Sequence, residues 1–280
     1  MPRDDRETKA LPWITANGTS IHYRLAGNAG PSVVLLHEMG GTLDSWDAIA
    51  PGLAGSFRVL RYDQRGAGLS EKVRQPFTFE TQVDDLEAVL DALALTPPFH
   101  FVTVAAATAQ ALRFMERHPS RIGSFVFCNP LAGIDPSRAS ALDERADFTA
   151  REGMRAALGV TLDKSWPSGI GDPAAYETYR GRYLANDPVC FAAINRALAR
   201  TNVTHLVKGI ACPTMIVAGR FDQVRPPAGS EQMAGDISGA RFELIDAVHM
   251  MPAQAPGPLL ALLESFLTTA TASPAQRASR

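Results

Sequence analysis

The stretch FHFVTVAAATAQALRFMERHP, from Phe99 to Pro119, decides the fold. Phe101, Val102 and Val104 form a short apolar, β-branched run, which predicts a buried strand. From Ala105 the pattern changes to small residues, followed by Leu112, Phe114 and Met115 at helical spacing. Arg117, His118 and Pro119 close that helix with cationic side chains and a breaker. A strand that turns sharply into a helix fits the frame G-x-S-x-G, in which the turn lifts a serine hydroxyl above the sheet and the next backbone N–H faces a developing oxyanion. Here the five positions read Thr103, Val104, Ala105, Ala106 and Ala107, so an alanine stands at the serine position. Thr103 and Thr108 are displaced from the apex and make poor substitutes.

On either side of this stretch, short apolar runs alternate with helical patterns. Asn17-Gly18 predicts a hairpin turn within Ile14–Ala26. Val33–Leu36 is wholly apolar, as a strand buried in a parallel sheet requires, and it ends in His37-Glu38-Met39-Gly40-Gly41. Thr42 or Asp44 is placed to cap the next helix, with Trp46 and Ile49 on its inner face. Phe57–Tyr62 reads as a strand running into DQRGAGLS, residues 63–70, where Asp63, Arg65 and Ser70 are expected to form a turn rather than to act chemically. Val83, Leu86, Val89, Leu90 and Leu93 give Phe79–Leu95 one apolar helical face. Ser124–Phe127 is a further strand, closed by Asn129-Pro130.

Between residues 131 and 208 the pattern is helical, with no convincing strand, which predicts an inserted helical cap. Strands then resume at Thr214–Ala218 and Arg241–Ile245, with helices around Ser230–Met233 and over Pro258–Leu267. The expected domains are an α/β core over 1–130 and 209–268, the cap over 131–208, and a disordered tail over 269–280. Strands alternating with helices imply a mostly parallel sheet covered on both faces.

The 280 residues are 46% apolar and 20% charged, with a formal net charge of -2. That balance gives no reason to expect nucleic acid or an anionic membrane surface as a partner. No apolar run approaches the roughly 20 residues of a membrane-spanning helix. Cys128, Cys190 and Cys212 are too few and too widely spaced for a disulfide framework or a metal cluster, and a reducing cytoplasm is the expected compartment. Cys128 is expected to be a small buried hydrophobe. No metal or organic cofactor is expected, and the sequence leaves the oligomeric state open.

Three further segments fall at strand ends, where open α/β sheets bind ligands. VVLLHEMGG offers a loop N–H as a second oxyanion donor, AGRFDQVRPP presents Asp222, and AVHMMP presents His249. In chain order Ala105, Asp222 and His249 repeat the nucleophile, acid, base order of one hydrolase fold, with the nucleophile missing. On these motifs the chain resembles the α/β-hydrolase superfamily from about Leu11 to Leu267. HEMGG matches the family's H-G-x-G loop and YDQRGAGLS its D-x-R-G-x-G-x-S turn.

The resemblance implies that Asp222 orients His249 and that the backbone N–H groups of Met39 and Ala106 form an oxyanion hole. Glu38 stands where the family usually has glycine and is a candidate substrate contact, with Met250 and Trp166; Tyr176, Tyr179 and Tyr183 are candidates for the cap side of the pocket. The alanine elbow and DQRGAG turn are similar to those of aminoacrylate hydrolases of pyrimidine breakdown. The expected activity is hydrolysis of a small carbonyl compound by directly attacking water. A serine esterase or lactonase with its nucleophile replaced, a lyase or cofactor-free oxygenase, and a small-molecule receptor on the same fold remain as alternatives.

Overall fold

The computed structural model describes residues 12–271. Eight strands form one sheet: β1 (Trp13–Ala16), β2 (Thr19–Ala26), β3 (Ser32–Leu36), β4 (Arg58–Tyr62), β5 (Phe99–Val104), β6 (Ile122–Cys128), β7 (Thr214–Gly219) and β8 (Arg241–Ile245). Their spatial order is β1-β2-β4-β3-β5-β6-β7-β8. Only β1–β2 and β2–β4 pair antiparallel; the other ladders are parallel. The Asn17-Gly18 turn predicted between the first two strands is present, with both residues at positive φ.

Side-chain alternation along the central strands builds two cores. On one face Val34, Leu36, Phe99, Phe101, Phe125 and Phe127 pack with helices α1 (Phe79–Ala92) and α2 (Ala107–Arg117). On the other, Val33, Leu35, Val102, Val104, Val126 and Cys128 pack with Trp46, Ile49 and the C-terminal helix. Burial of both faces explains why these strands read as continuous apolar runs rather than as an alternating pattern. Each buried phenylalanine contributes on the order of 1.5–3 kcal/mol of transfer free energy.

Between β6 and β7 the described residues form no strand beyond an isolated bridge, Gly133–Asn202. Three helices dominate that segment: α3 (Ala139–Glu152), α4 (Pro173–Leu184) and α5 (Pro188–Ala199). Asp172 and Asp187 cap the last two, each with proline at the first helical position, an arrangement suited to helix starts. Helices α6 (Pro227–Asp236) and α7 (Pro256–Thr271) complete the chain. Helix α7 continues through Thr269–Thr271, so the expected disordered tail does not begin at 269; the rest of it lies outside the described residues.

The DQRGAGLS segment is a structural turn, as expected. Asp63 accepts hydrogen bonds from the Leu43 and Leu69 N–H groups at 2.7 and 2.8 Å and contacts His22 Nδ1 at 2.8 Å. Arg65 grips Asp85 of α1 through Nε at 2.8 Å and also donates to the Asn17 carbonyl. The turn thereby ties the first hairpin to α1.

Candidate active site

Strand β5 ends at Val104, and the chain reverses into α2 through Ala105, whose φ of 51° is left-handed. An L-residue there pays a steric cost, so the sharp elbow survives although the serine does not. Ala105 N–H donates to the Cys128 carbonyl at 3.0 Å, and its carbonyl accepts from Leu131 N–H at 3.1 Å. These bonds fix the corner to the end of β6.

His249 lies just after β8, and Asp222 just after β7. His249 Nδ1 is 2.6 Å from Asp222 Oδ2, and both side chains are buried. Asp222 Oδ1 accepts from the Val224 and Arg225 N–H groups, at 2.8 Å each. An ionised carboxylate accepts only, so Nδ1 carries the proton and Nε2 is left with a free lone pair. Ala105 and His249 share the wall of one cavity of about 450 Å³. The two loops are joined by Asn129, itself at φ 46°. Its Oδ1 accepts from Gly219 N–H at 2.7 Å, while Nδ2 donates to the Val248 and His249 carbonyls at 3.1 and 3.2 Å. Gly219 is required there, because a Cβ would meet the Ala247 carbonyl oxygen at 2.6 Å.

Met39 and Ala106 reach the same cavity. Among the described residues neither backbone N–H donates within the chain. The loop carrying Met39 is set by His37: Gln64 N–H donates to His37 Nε2 at 3.0 Å, so Nδ1 bears the proton and donates to the Glu38 carbonyl at 2.8 Å. Gln64 Nε2 closes the lock on the His37 carbonyl at 2.8 Å.

Of the three expected substrate contacts, Met250 lines the cavity and Glu38 and Trp166 do not. Glu38 is buried beneath the wall, where Oε1 accepts from Ser45 Oγ at 2.9 Å and from the Tyr179 hydroxyl at 2.6 Å. Burial, with the Glu38 carboxylate beside it, holds the Tyr179 phenol well above its usual pKa, which keeps it a donor. Gly41 makes room for this carboxylate, since a Cβ there would lie 2.3 Å from Glu38 Oε1. Trp166 is fully buried; it donates from Nε1 to the Ile170 carbonyl and packs on Tyr176 and Tyr179. Of the three tyrosines only Tyr183 lines the cavity. Trp166, Tyr179 and Tyr183 form a cluster with Val248 and Met250, so the helical segment packs directly on the His249 loop.

Among the described residues, no group of three or more His, Cys, Asp or Glu side chains is placed to hold a metal ion. Nor is any described helix long and apolar enough to cross a membrane.

A mostly parallel sheet with an elbow after β5, an acid loop after β7 and a histidine loop after β8 defines a hydrolase of the α/β type. Comparison with known proteins agrees: residues 31–256 match the family described as the alpha/beta hydrolase fold, and the chain belongs to that family. It is 27% identical over 242 residues to 3-oxoadipate enol-lactonase 1 of Acinetobacter baylyi, covering 85% of this chain and 88% of that one. A relative named as a carbamate hydrolase, RutD, of Caulobacter vibrioides is 28% identical over 234 residues, covering 80% and 86%. The crystal structure of the enol-lactonase from Burkholderia xenovorans superimposes with a TM-score of 0.85 at 28% identity, covering 92% of this chain and all of that one. A hydrolase from Pseudomonas aeruginosa gives 0.84 at 30% identity, covering 95% and 99%. The chain is accordingly an enzyme, an α/β-hydrolase-type hydrolase.

Proposed function

We propose that the chain hydrolyses a small activated carbonyl compound, such as an enol-lactone or a carbamate, by direct attack of water. The observation that carries this reading is that His249, 2.6 Å from Asp222, lies on a cavity wall shared with an alanine at the elbow apex. Alanine leaves room for water where a serine hydroxyl would stand. In the proposed reaction a water oxygen bonds to the carbonyl carbon while its proton passes to His249 Nε2. The oxyanion so formed accepts from the N–H groups of Met39 and Ala106. As the tetrahedral intermediate collapses, the carbonyl reforms, the bond to the leaving heteroatom breaks and His249 returns the proton to that atom. Asp222 stabilises the imidazolium between these steps.

The segment between β6 and β7 is read as the cap, because it contributes Leu142, Thr161 and Tyr183 to the cavity wall. The three free thiols suit a reducing cytoplasm.

A hydrolysis screen over enol-lactones, carbamates and activated esters in ¹⁸O-labelled water, with intact-protein mass spectrometry, tests the reading. Turnover that places one labelled oxygen in the acid product without a covalent adduct is the expected result. An acyl-enzyme on any side chain refutes direct attack by water.

A further inference from the structure

The cavity wall carries Arg138, Arg145, Lys164 and Arg225, and no aspartate or glutamate. Arg145 and Arg225 are half-buried, whereas Arg138 and Lys164 are exposed. Among the described residues none of the four forms an ion pair. The rest of this region behaves differently. Arg196 of α5 pairs with Asp147 of α3, and Arg200, just past the end of α5, pairs with Asp143 of α3. Arg145, between those two aspartates in sequence, instead lines the cavity.

The Arg145 guanidinium is held there by a neutral acceptor. Its Nε donates to Asn195 Oδ1 at 2.9 Å, and a terminal nitrogen donates to the same oxygen. Asn195 in turn donates to the Phe191 carbonyl at 2.8 Å, which orients the amide. The group is thus positioned without being neutralised. Burial disfavours the charged form of both Arg145 and Arg225, and the field of Arg138 adds to it. The carboxylates whose fields reach Arg138 and Arg225 are engaged elsewhere. Asp135 accepts from Ser137 N and Oγ, and Asp222 accepts from backbone N–H groups and His249.

Arginine stays protonated in proteins, and a half-buried charge without a partner is costly to the folded state. Such a wall becomes favourable when an anion fills it, because charge-assisted, forked contacts to carboxylate are among the strongest polar contacts available. We propose that the cavity binds a small substrate bearing two carboxylates, one taken by Arg145 and one by Arg225, with the reacting carbonyl held near His249. Two anionic groups are inferred because two half-buried cations, Arg145 on α3 and Arg225 on the loop after β7, line the cavity with no counter-charge on its wall. Arg138 and Lys164, at the solvent side, draw the anion in. A cavity of about 450 Å³ lies within the usual range for a small-molecule site. This inference rests on reading the Ala105–His249 cavity as the reaction site.

Non-hydrolysable acids test it independently of turnover. Binding of succinate, glutarate and adipate to the full chain is compared by calorimetry and thermal shift with butyrate, succinamide and inorganic sulfate at matched ionic strength. At least one dicarboxylate is expected to bind about tenfold or more tighter than butyrate, with no measurable binding of succinamide. Arg145→Gln and Arg225→Gln are each expected to weaken that dicarboxylate about tenfold or more, since each removes a charged contact. The exposed Arg138→Gln keeps the test available if Arg145→Gln fails to fold, and is expected to weaken binding slightly and to flatten its dependence on salt. Equal binding of mono- and dicarboxylates, a preference for sulfate, or unaltered binding by the folded variants overturns the proposal. Dicarboxylate binding without hydrolysis of any dicarboxylate ester or lactone would instead count against the hydrolytic reading alone.

Discussion

Asn129 is stapled to His249: its Nδ2 donates to the histidine carbonyl at 3.2 Å while its Oδ1 holds Gly219 N–H at 2.7 Å. One buried amide thereby sets the spacing between the strand that leads to Asp222 and the loop that carries His249. Asn129→Ala orphans the Gly219 N–H and the two carbonyls it serves. The expected cost is about 3 kcal/mol or more, since three buried groups lose their partner and each unmet group costs roughly 1–3 kcal/mol. Asn129→Gly preserves the positive φ and isolates the loss of the side chain. Urea denaturation reads the first effect. Displacement of the base by about 1 Å is worth roughly 10²-fold in rate, so kcat should fall in both variants more than stability alone explains.

His249→Ala is expected to abolish turnover, and Asp222→Asn to lower kcat by about 10³- to 10⁴-fold, because the amide no longer enforces the Nδ1–H tautomer. Steady-state kinetics on a confirmed substrate, with circular dichroism to verify folding, makes the comparison. Unchanged kcat in His249→Ala would remove the general base from the scheme.

Ala105→Ser restores a hydroxyl at a backbone corner that is already bent for it, with φ at 51°. The serine variant is expected to show an acyl-enzyme in intact-mass spectra during turnover, whereas the chain with Ala105 shows none. If both forms lacked an adduct while the variant turned over at the same rate, His249 would not be placed to activate an elbow hydroxyl.

His100, buried in β5 with Nδ1 2.8 Å from Ser124 Oγ, provides a pH signature. Burial lowers its pKa from 6.5 to about 4. The unfolded chain therefore takes up a proton below about pH 6.5 that the folded chain refuses until about pH 4, so stability falls as pH drops through that window and is fully present above it. The loss amounts to up to about 3 kcal/mol. Denaturant titrations at pH 7.5 and pH 4.5 should differ less in His100→Gln than in the natural chain.

Glu38 is held by Tyr179, so Tyr179→Phe leaves a buried carboxylate oxygen with one donor fewer. A destabilisation of about 1.5–3 kcal/mol is expected for a hydrogen bond to a charged group. Glu38→Gln in the same background should recover part of it, as a neutral acceptor is less demanding of donors. Thermal unfolding of the three proteins decides this.

The sheet and the dyad were legible in the sequence because their signals are local. Runs such as VVLL and TMIVA are apolar on both faces, and Asp222 closely follows one of them; His249 follows the half-exposed strand RFELI and is marked instead by its place after the last strand. The cavity wall was not legible. Whether Arg145 turns inward while Asp143 and Asp147 meet Arg200 and Arg196 depends on the rotation of α3 against α5, and residue spacing alone does not set that rotation. The same limit applies to Trp166: an aromatic residue just past a short helix reads alike whether it faces ligand or its own tyrosine neighbours. Asn129 showed as the end of a strand, but its partners lie 90 and 120 positions away. His37 carries no local signal of its role, although its two ring nitrogens fix the loop that presents Met39.

The left-handed backbone at Ala105 has a further consequence. A non-glycine residue in that region carries a standing penalty of about 1–2 kcal/mol, which the surrounding sheet and helix sustain with no hydroxyl to present. The corner is therefore a property of the framework, and its shape does not depend on the side chain mounted on it. Alanine and serine at this corner differ by one oxygen atom, so the side chain at position 105 can be exchanged without reshaping the backbone that carries it.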